Sequence, residues 1–263
     1  MAYEAVAKLL EAQLANESLK NRETIGEAFR LALASCPAAN PSDLWHHVVY
    51  RLYFEILPKY RPLNPGQSWV RASGDALEIA LERIYTPVLK PHKIGIKALI
   101  GRDQKSEALS HMGIEDEVGD SKLDVILYLT DQIGAKSVFG GVHVKASLAE
   151  RVSDDVPCSR AMQKRGLFSP LFTLDVKSFP PPHGDLVNRG ELGTPAAPSE
   201  KRRYIENHGD FDNCYSGNFR SQPSNGNTLS GKEIILAKIA EQPDDFVKEI
   251  IARGAAARAK LSK

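Results

Sequence analysis

Three cysteines, Cys36, Cys158 and Cys214, are all that this chain of 263 residues contains. They form neither a disulfide framework nor a CxxC metal site, and their odd number favours a reducing compartment, so a cytoplasmic protein is the inference. An excess of one charge is also missing, with 34 Lys+Arg against 33 Asp+Glu. Any basic surface for a nucleic acid must therefore be local. No apolar run approaches the roughly 18 residues that would span a bilayer, and the N-terminus lacks a basic stretch leading into an apolar one. Membrane insertion and secretion are both disfavoured. There is no internal repeat, and no phosphate-cradling glycine loop of the kind that supports ATP-driven action. What is plentiful is apolar side chain, at 42% of residues, enough for a substantial interior.

Periodicity predicts helices in the first quarter: apolar positions recur at helical spacing over 3–35, and Ser42 or Asp43 caps a further stretch to Leu57. Pro58 to Gln67 reads as a connector. A third helix spans about Ser73 to Tyr85, with Leu77, Leu81 and Ile84 on one face. One short strand falls near Ile94 to Ile100 in an otherwise weak pattern, followed by strands over 122–129, 138–148 and 170–178. Residues 149–165 read as a helix, 180–200 and 222–231 as long loops, and 231–260 as a closing helix with basic residues at its end. The division is a helical N-terminal region, 1–66, and an α/β core, 67–263, forming one compact unit. Trp45, Trp69, Tyr50, Tyr53 and Phe54 read as core, and the adjacent His46 and His47, diverging on a helix, as a poor metal pair.

The chemistry concentrates in two neighbouring strands. Asp124 interrupts Leu123-Asp124-Val125-Ile126-Leu127-Tyr128-Leu129, and Lys145 closes Val142-His143-Val144-Lys145. A carboxylate on a rigid element can hold Mg²⁺ while leaving positions open for water and a phosphodiester, and a nearby lysine can orient the attacking water or stabilise charge on phosphorus. An isolated acid and lysine are a weak signal, because polar residues alternate on many half-exposed strands. Asp175-Val176-Lys177 is a rival pair, ranked lower for want of an upstream acid other than Asp154 or Asp155.

Two flanking segments add weight. Arg71-Ala72-Ser73-Gly74-Asp75-Ala76-Leu77-Glu78-Ile79-Ala80 resembles the helix that supplies an extra acid in restriction endonucleases of the PD-(D/E)XK superfamily, especially those that cut CCGG or CCNGG-like sites. Lys145-Ala146-Ser147-Leu148-Ala149-Glu150-Arg151 partly matches the K-x-S/T-x-R-E/D-R segment of that group. The resemblance covers roughly residues 70–180 and a C-terminal helix, and its specificity lies in the conjunction of short motifs. It implies a mixed central sheet flanked by helices, and a type II, Mg²⁺-dependent enzyme cutting double-stranded DNA at a short palindrome within a restriction-modification system. The symmetry of a palindrome implies a homodimer, with a tetramer left open.

By position, the resemblance assigns Glu78, Asp124 and Asp155 to the metal and Lys145 to the attacking water. His143 stands where the commonest motif has an acid; neutral imidazole binds Mg²⁺ poorly, so it is expected to orient a water or contact phosphate. The missing acid is then recruited from Asp154 or Asp155, with Asp155 preferred. Ala149 replaces the usual first arginine of the specificity segment. Ser147, Glu150 and Arg151 remain for DNA, the last two suiting cytosine N4 and guanine O6/N7. Lys201, Arg202 and Arg203, placed at the end of a loop, are candidates for gripping backbone phosphates. Two alternatives stay open: a structure-selective or repair nuclease of the same superfamily, and a non-catalytic DNA-binding protein.

Overall fold

The computed structural model describes residues 2–118, 123–149, 152–177 and 187–261. Helices α1 (Ala2–Leu14) and α2 (Asn21–Ser35) divide the first periodic stretch, separated by a turn at 15–20. A short α3 (Pro41–Asp43) begins where the Asn40 side chain accepts a hydrogen bond from the Ser42 amide. It runs through a π-helical segment, Leu44–Tyr50, into α4 (Arg51–Tyr60). In the π segment the His46 and His47 rings meet edge to face, 4.8 Å apart, rather than diverging, because the wider winding changes their relative orientation.

The third predicted helix is much longer than its periodicity suggests. α5 spans Pro65–Leu89, starting inside the proline-rich connector. Asn64 caps it by accepting from the Gln67 amide at 3.0 Å, and Pro65 occupies the first turn, where a missing N–H costs nothing. The prolines that looked like punctuation therefore include a start signal. α5 packs closely against α2: a Cβ on Gly26 would stand 2.8 Å from the Ala76 carbonyl oxygen.

Six strands form one sheet in sequence order, β1 (Ile94–Ala98), β2 (Val125–Thr130), β3 (Lys136–Lys145), β4 (Leu171–Thr173), β5 (Cys214–Ser216) and β6 (Ile234–Leu236). The first three pair antiparallel and the rest join β3 in parallel. This is the mixed sheet with flanking helices that the sequence implied. The three-residue strands β5 and β6 were not anticipated, being too short to show alternation. Helix α6 (Arg102–Met112) was also missed; only Ala108, Leu109 and Met112 of it are buried, so its apolar stripe is thin. α7 (Val152–Lys164) falls inside the expected helix, α9 (Asp245–Leu261) starts well after the expected 231 because β6 occupies Ile234–Leu236, and α8 (Glu200–Glu206) stands where a loop was expected.

The main apolar core draws on Val6 and Leu10 of α1, Phe29 of α2, Leu77 and Tyr85 of α5, Val142 of β3, and Phe246 and Ile250 of α9. The N-terminal helices thus share an interior with the sheet. Trp45 and Tyr53 are buried as expected, while Tyr50, Phe54 and Trp69 are partly exposed. No described helix is long and apolar enough to cross a membrane.

Candidate active site

The β2–β3 register assembles the centre of the site. Val125 pairs with Val142, which brings the residue before β2 level with the end of β3. Asp124 Oδ2 accepts a hydrogen bond from the Val144 amide at 2.8 Å, and the Asp124 carbonyl accepts from the Leu99 amide at 2.9 Å. One backbone amide thereby orients its side chain and another fixes its main chain. Lys145, the last residue of β3, places Nζ 3.0 Å from Asp124 Oδ2 and 2.7 Å from Asp155 Oδ2. Asp155 lies in the first turn of α7, which packs over this end of the sheet.

The electrostatics follow from burial and pairing. Burial pushes the Asp124 carboxyl up, but Lys145, Lys105 and the Val144 amide outweigh it and hold Asp124 below the usual carboxylate range. Burial alone would lower the Lys145 ammonium; the two aspartates reverse this and hold it well above its ordinary value. Two carboxylates against one ammonium favour its charged form. It acts as a fixed positive charge and hydrogen-bond donor.

Glu78 lies on the face of α5 turned to the sheet, only 5% exposed. Burial, followed by the charge of Asp124, raises its carboxyl to about 9. One turn further on, Glu82 Oε2 accepts from the Ala98 amide at 2.8 Å and clamps α5 to the end of β1. Glu82 was not singled out in the sequence. Its signal was the i, i+4 spacing from Glu78.

His143 departs from expectation. It is fully buried, with Nε2 3.1 Å from Ser169 Oγ, Nδ1 3.9 Å from Asp155 Oδ2, and its ring edge to face with Phe211 at 5.4 Å. Side chains alternate across a strand, so His143 points to the face opposite the Val144 side chain and is enclosed beneath α7. Its ring therefore stands beside Asp155 and away from solvent, whereas the sequence led to the expectation of a contact with water or phosphate.

Fit to a metal rests on Asp124 and Glu78. Glu78 Oε2 and Asp155 Oδ2 are both buried without a hydrogen-bond partner among the described residues, a costly arrangement that a cation would relieve, although Asp155 Oδ2 has the Lys145 ammonium at 2.7 Å. A hard divalent ion is commonly held by one or two carboxylates with waters and phosphate completing its shell. Among the described residues no three His, Cys, Asp or Glu side chains stand together at metal-holding spacing. Lys145 Nζ lies against both Asp124 and Asp155, and Lys105 Nζ against Asp124.

Of the DNA-facing candidates, Glu150 and Arg151 lie outside the described residues. Ser147 just before them is tied down: its hydroxyl donates to Glu191 Oε1 at 3.1 Å and accepts from the Ala149 amide at 3.3 Å. Glu191 Oε2 also accepts from Lys201 Nζ at 2.6 Å, so Lys201 braces this segment from α8. Arg202 requires correction. It is fully buried, donating to Glu206 at 2.6 Å and to the carbonyls of Leu192, Gly193 and Gln222, because α8 turns it inward. It cannot grip a phosphate. Arg203, one residue on, is exposed. The rival Asp175 is also structural: its carboxylate accepts from the Glu191 amide and the Ser221 hydroxyl, in a buried network with Asn188 and Asn218.

The arrangement matches known proteins. Residues 101–238 match the model of the BsaWI restriction endonuclease type 2 family. The chain is 53% identical over 242 residues to the type II restriction enzyme AgeI of Thalassovita gelatinovora, covering 89% of this chain and 85% of that one. Among solved structures, the specific AgeI–DNA complex superposes with a TM-score of 0.90 at 49% identity, covering 96% of this chain and 91% of that one. A pre-specific BsaWI–DNA complex aligns at a TM-score of 0.46 and 16% identity, over 97% and 93% of the respective chains. With the family model matched over more than half its length and so similar a relative over most of it, this chain belongs to the type II restriction endonucleases, the site-specific deoxyribonucleases.

Proposed function

We propose that this protein hydrolyses phosphodiester bonds of double-stranded DNA at a short palindromic, G·C-containing site, with Mg²⁺, as the nuclease of a restriction-modification system. The observation that carries the reading is Lys145 Nζ set between Asp124 and Asp155, with Asp124 braced by the Val144 amide. Asp124 and Glu78 would hold the cation, which when bound screens the phosphate and lowers the pKa of its water. Lys145 stabilises the negative charge that builds on the phosphate oxygens. Asp155 keeps the Lys145 ammonium charged and aimed, and His143 keeps Asp155 in place from behind.

Recognition falls to Glu150 and Arg151, with carboxylate to cytosine N4 and guanidinium to guanine O6/N7. They follow a segment anchored by Ser147 and by Leu148, which is fully buried against Val152 and Leu171. That anchoring supports a base-reading role, since discrimination needs a rigid mount. Arg203 supplies a backbone contact from the exposed side of α8. The AgeI structure is a complex with DNA, which supports DNA as the substrate. One site cuts one strand, so a homodimer matches a palindrome.

Digesting a plasmid with and without Mg²⁺ and chelator, then sequencing the ends, tests the whole reading. Discrete fragments with a common G·C-containing terminus, lost on chelation, are expected. Ends without a shared sequence would indicate a structure-selective nuclease, and an uncut plasmid a DNA-binding protein. Sedimentation with a cognate duplex reads the dimer or tetramer directly.

A further inference from the structure

Asp124 has a second lysine. Lys105 Nζ lies 3.3 Å from Asp124 Oδ1, the carboxylate oxygen not used by the Val144 amide. Lys105 comes from α6, the helix with the thin apolar stripe. Ala108, Leu109 and Met112 lie three, four and seven residues on, sharing its face. They pack into a cluster with Leu99, Leu123, Ile126, Ala161 and Met162. Lys105 thus extends the buried face of α6 towards the site, and its side chain keeps 21% exposure.

The two lysines are held differently. Lys145 is gripped from two sides, at 3.0 Å by Asp124 and 2.7 Å by Asp155. Lys105 holds the remaining oxygen of Asp124 at a longer distance and from the more exposed position. A divalent ion sharing Asp124 must share it with ammonium groups already there. Of the two, Lys105 has the looser hold.

We propose that Lys105 is a tethered placeholder cation, holding Asp124 Oδ1 in the DNA-free protein and giving up that oxygen to the divalent ion when a phosphate draws its ammonium away. This rests on Asp124 being a metal-binding carboxylate. The arrangement keeps the metal weakly bound until DNA is seated. A long, flexible stem with a compact charge suits the exchange, because the ammonium moves between carboxylate and phosphate without moving the helix.

The test measures Mn²⁺ binding by calorimetry, without DNA, for the parent, Lys105→Met, Lys105→Arg and Asp124→Ala, with single-turnover cleavage in parallel. Lys105→Met is expected to bind Mn²⁺ about fivefold more tightly, by loss of the competing charge, while cleaving about 100-fold more slowly. Lys105→Arg keeps the charge and holds Mn²⁺ affinity within about twofold of the parent. A purely structural lysine would not raise metal affinity on removal. Mn²⁺ affinity in Lys105→Met no tighter than in the parent overturns the placeholder. If Asp124→Ala binds Mn²⁺ like the parent, the failure lies instead in the assignment of Asp124 to the metal.

Discussion

Asp155 and Lys145 form the shortest of the three ion pairs at the centre of the site, with Oδ2 2.7 Å from Nζ. That distance makes Asp155 a partner of the lysine, and a partner behaves differently from a metal ligand when removed. Asp155→Asn should slow cleavage by about 10- to 100-fold, the usual cost of losing an outer support, and leave Mn²⁺ affinity unchanged. Loss of Mn²⁺ binding in that variant would return Asp155 to the metal.

Asp124→Asn and Lys145→Met should each reduce cleavage at least about 10²- to 10³-fold with cognate-duplex binding retained in Ca²⁺. Cleavage and fluorescence anisotropy on the same preparations check this. Lys145→Met strips the ammonium from two buried carboxylates and should lower the melting temperature, so circular dichroism checks that each variant is folded; full activity in either variant would be incompatible with the site.

Arg202 and Arg203 separate structure from contact. Arg202→Ala leaves Glu206 and three carbonyls without their donor in a buried place, a loss of about 3–5 kcal/mol readable by urea denaturation. Arg203→Ala should cost little stability and reduce the slope of log K against log salt by about one. A salt slope lowered by Arg202→Ala in folded protein would reverse this division.

Asp175 provides a pH signature away from the site. Burial raises its folded-state carboxyl from 3.8 to about 6. The folded state then binds the extra proton between these values, so the contribution of Asp175 is most favourable below about pH 4 and is lost as pH rises through about 6. A shift of this size corresponds to about 3 kcal/mol. Relative to the parent, Asp175→Asn should therefore gain stability by up to that amount between pH 4 and pH 7, measured by urea unfolding. A difference that stays constant with pH would sink the assignment.

The parts of the site legible in the sequence were those tied to one element. Asp124 stood out as an acid in an apolar strand, Lys145 as a strand-end lysine, and Glu78 by a helix segment with a family resemblance. Contributions set by packing between elements were not legible. Whether His143 faces solvent or Ser169 depends on α7 lying over the sheet, and Arg202 reads as a loop cation until α8 turns it inward. Lys105 was hidden because α6 has too few apolar residues to show a period. In the fold, long strands and helices announced themselves, whereas β5 and β6 owe their existence to neighbours rather than to their own three residues each.

Helix α5 reaches from its Asn64 cap, past Gly26 of α2, to Tyr85 against Phe246 of α9. Both ends are fixed to different partners, and Glu78 lies between. Each residue added to or removed from a helix turns everything beyond it by about 100°. Length change within Pro65–Leu89 is therefore quantised: no single insertion can keep both anchors and still aim Glu78 at Asp124. Chain length between the anchors is in effect a ruler for the active site, so insertions should be tolerated only outside the anchors, at 62–63 between Arg61 and the Asn64 cap, and not along the helix.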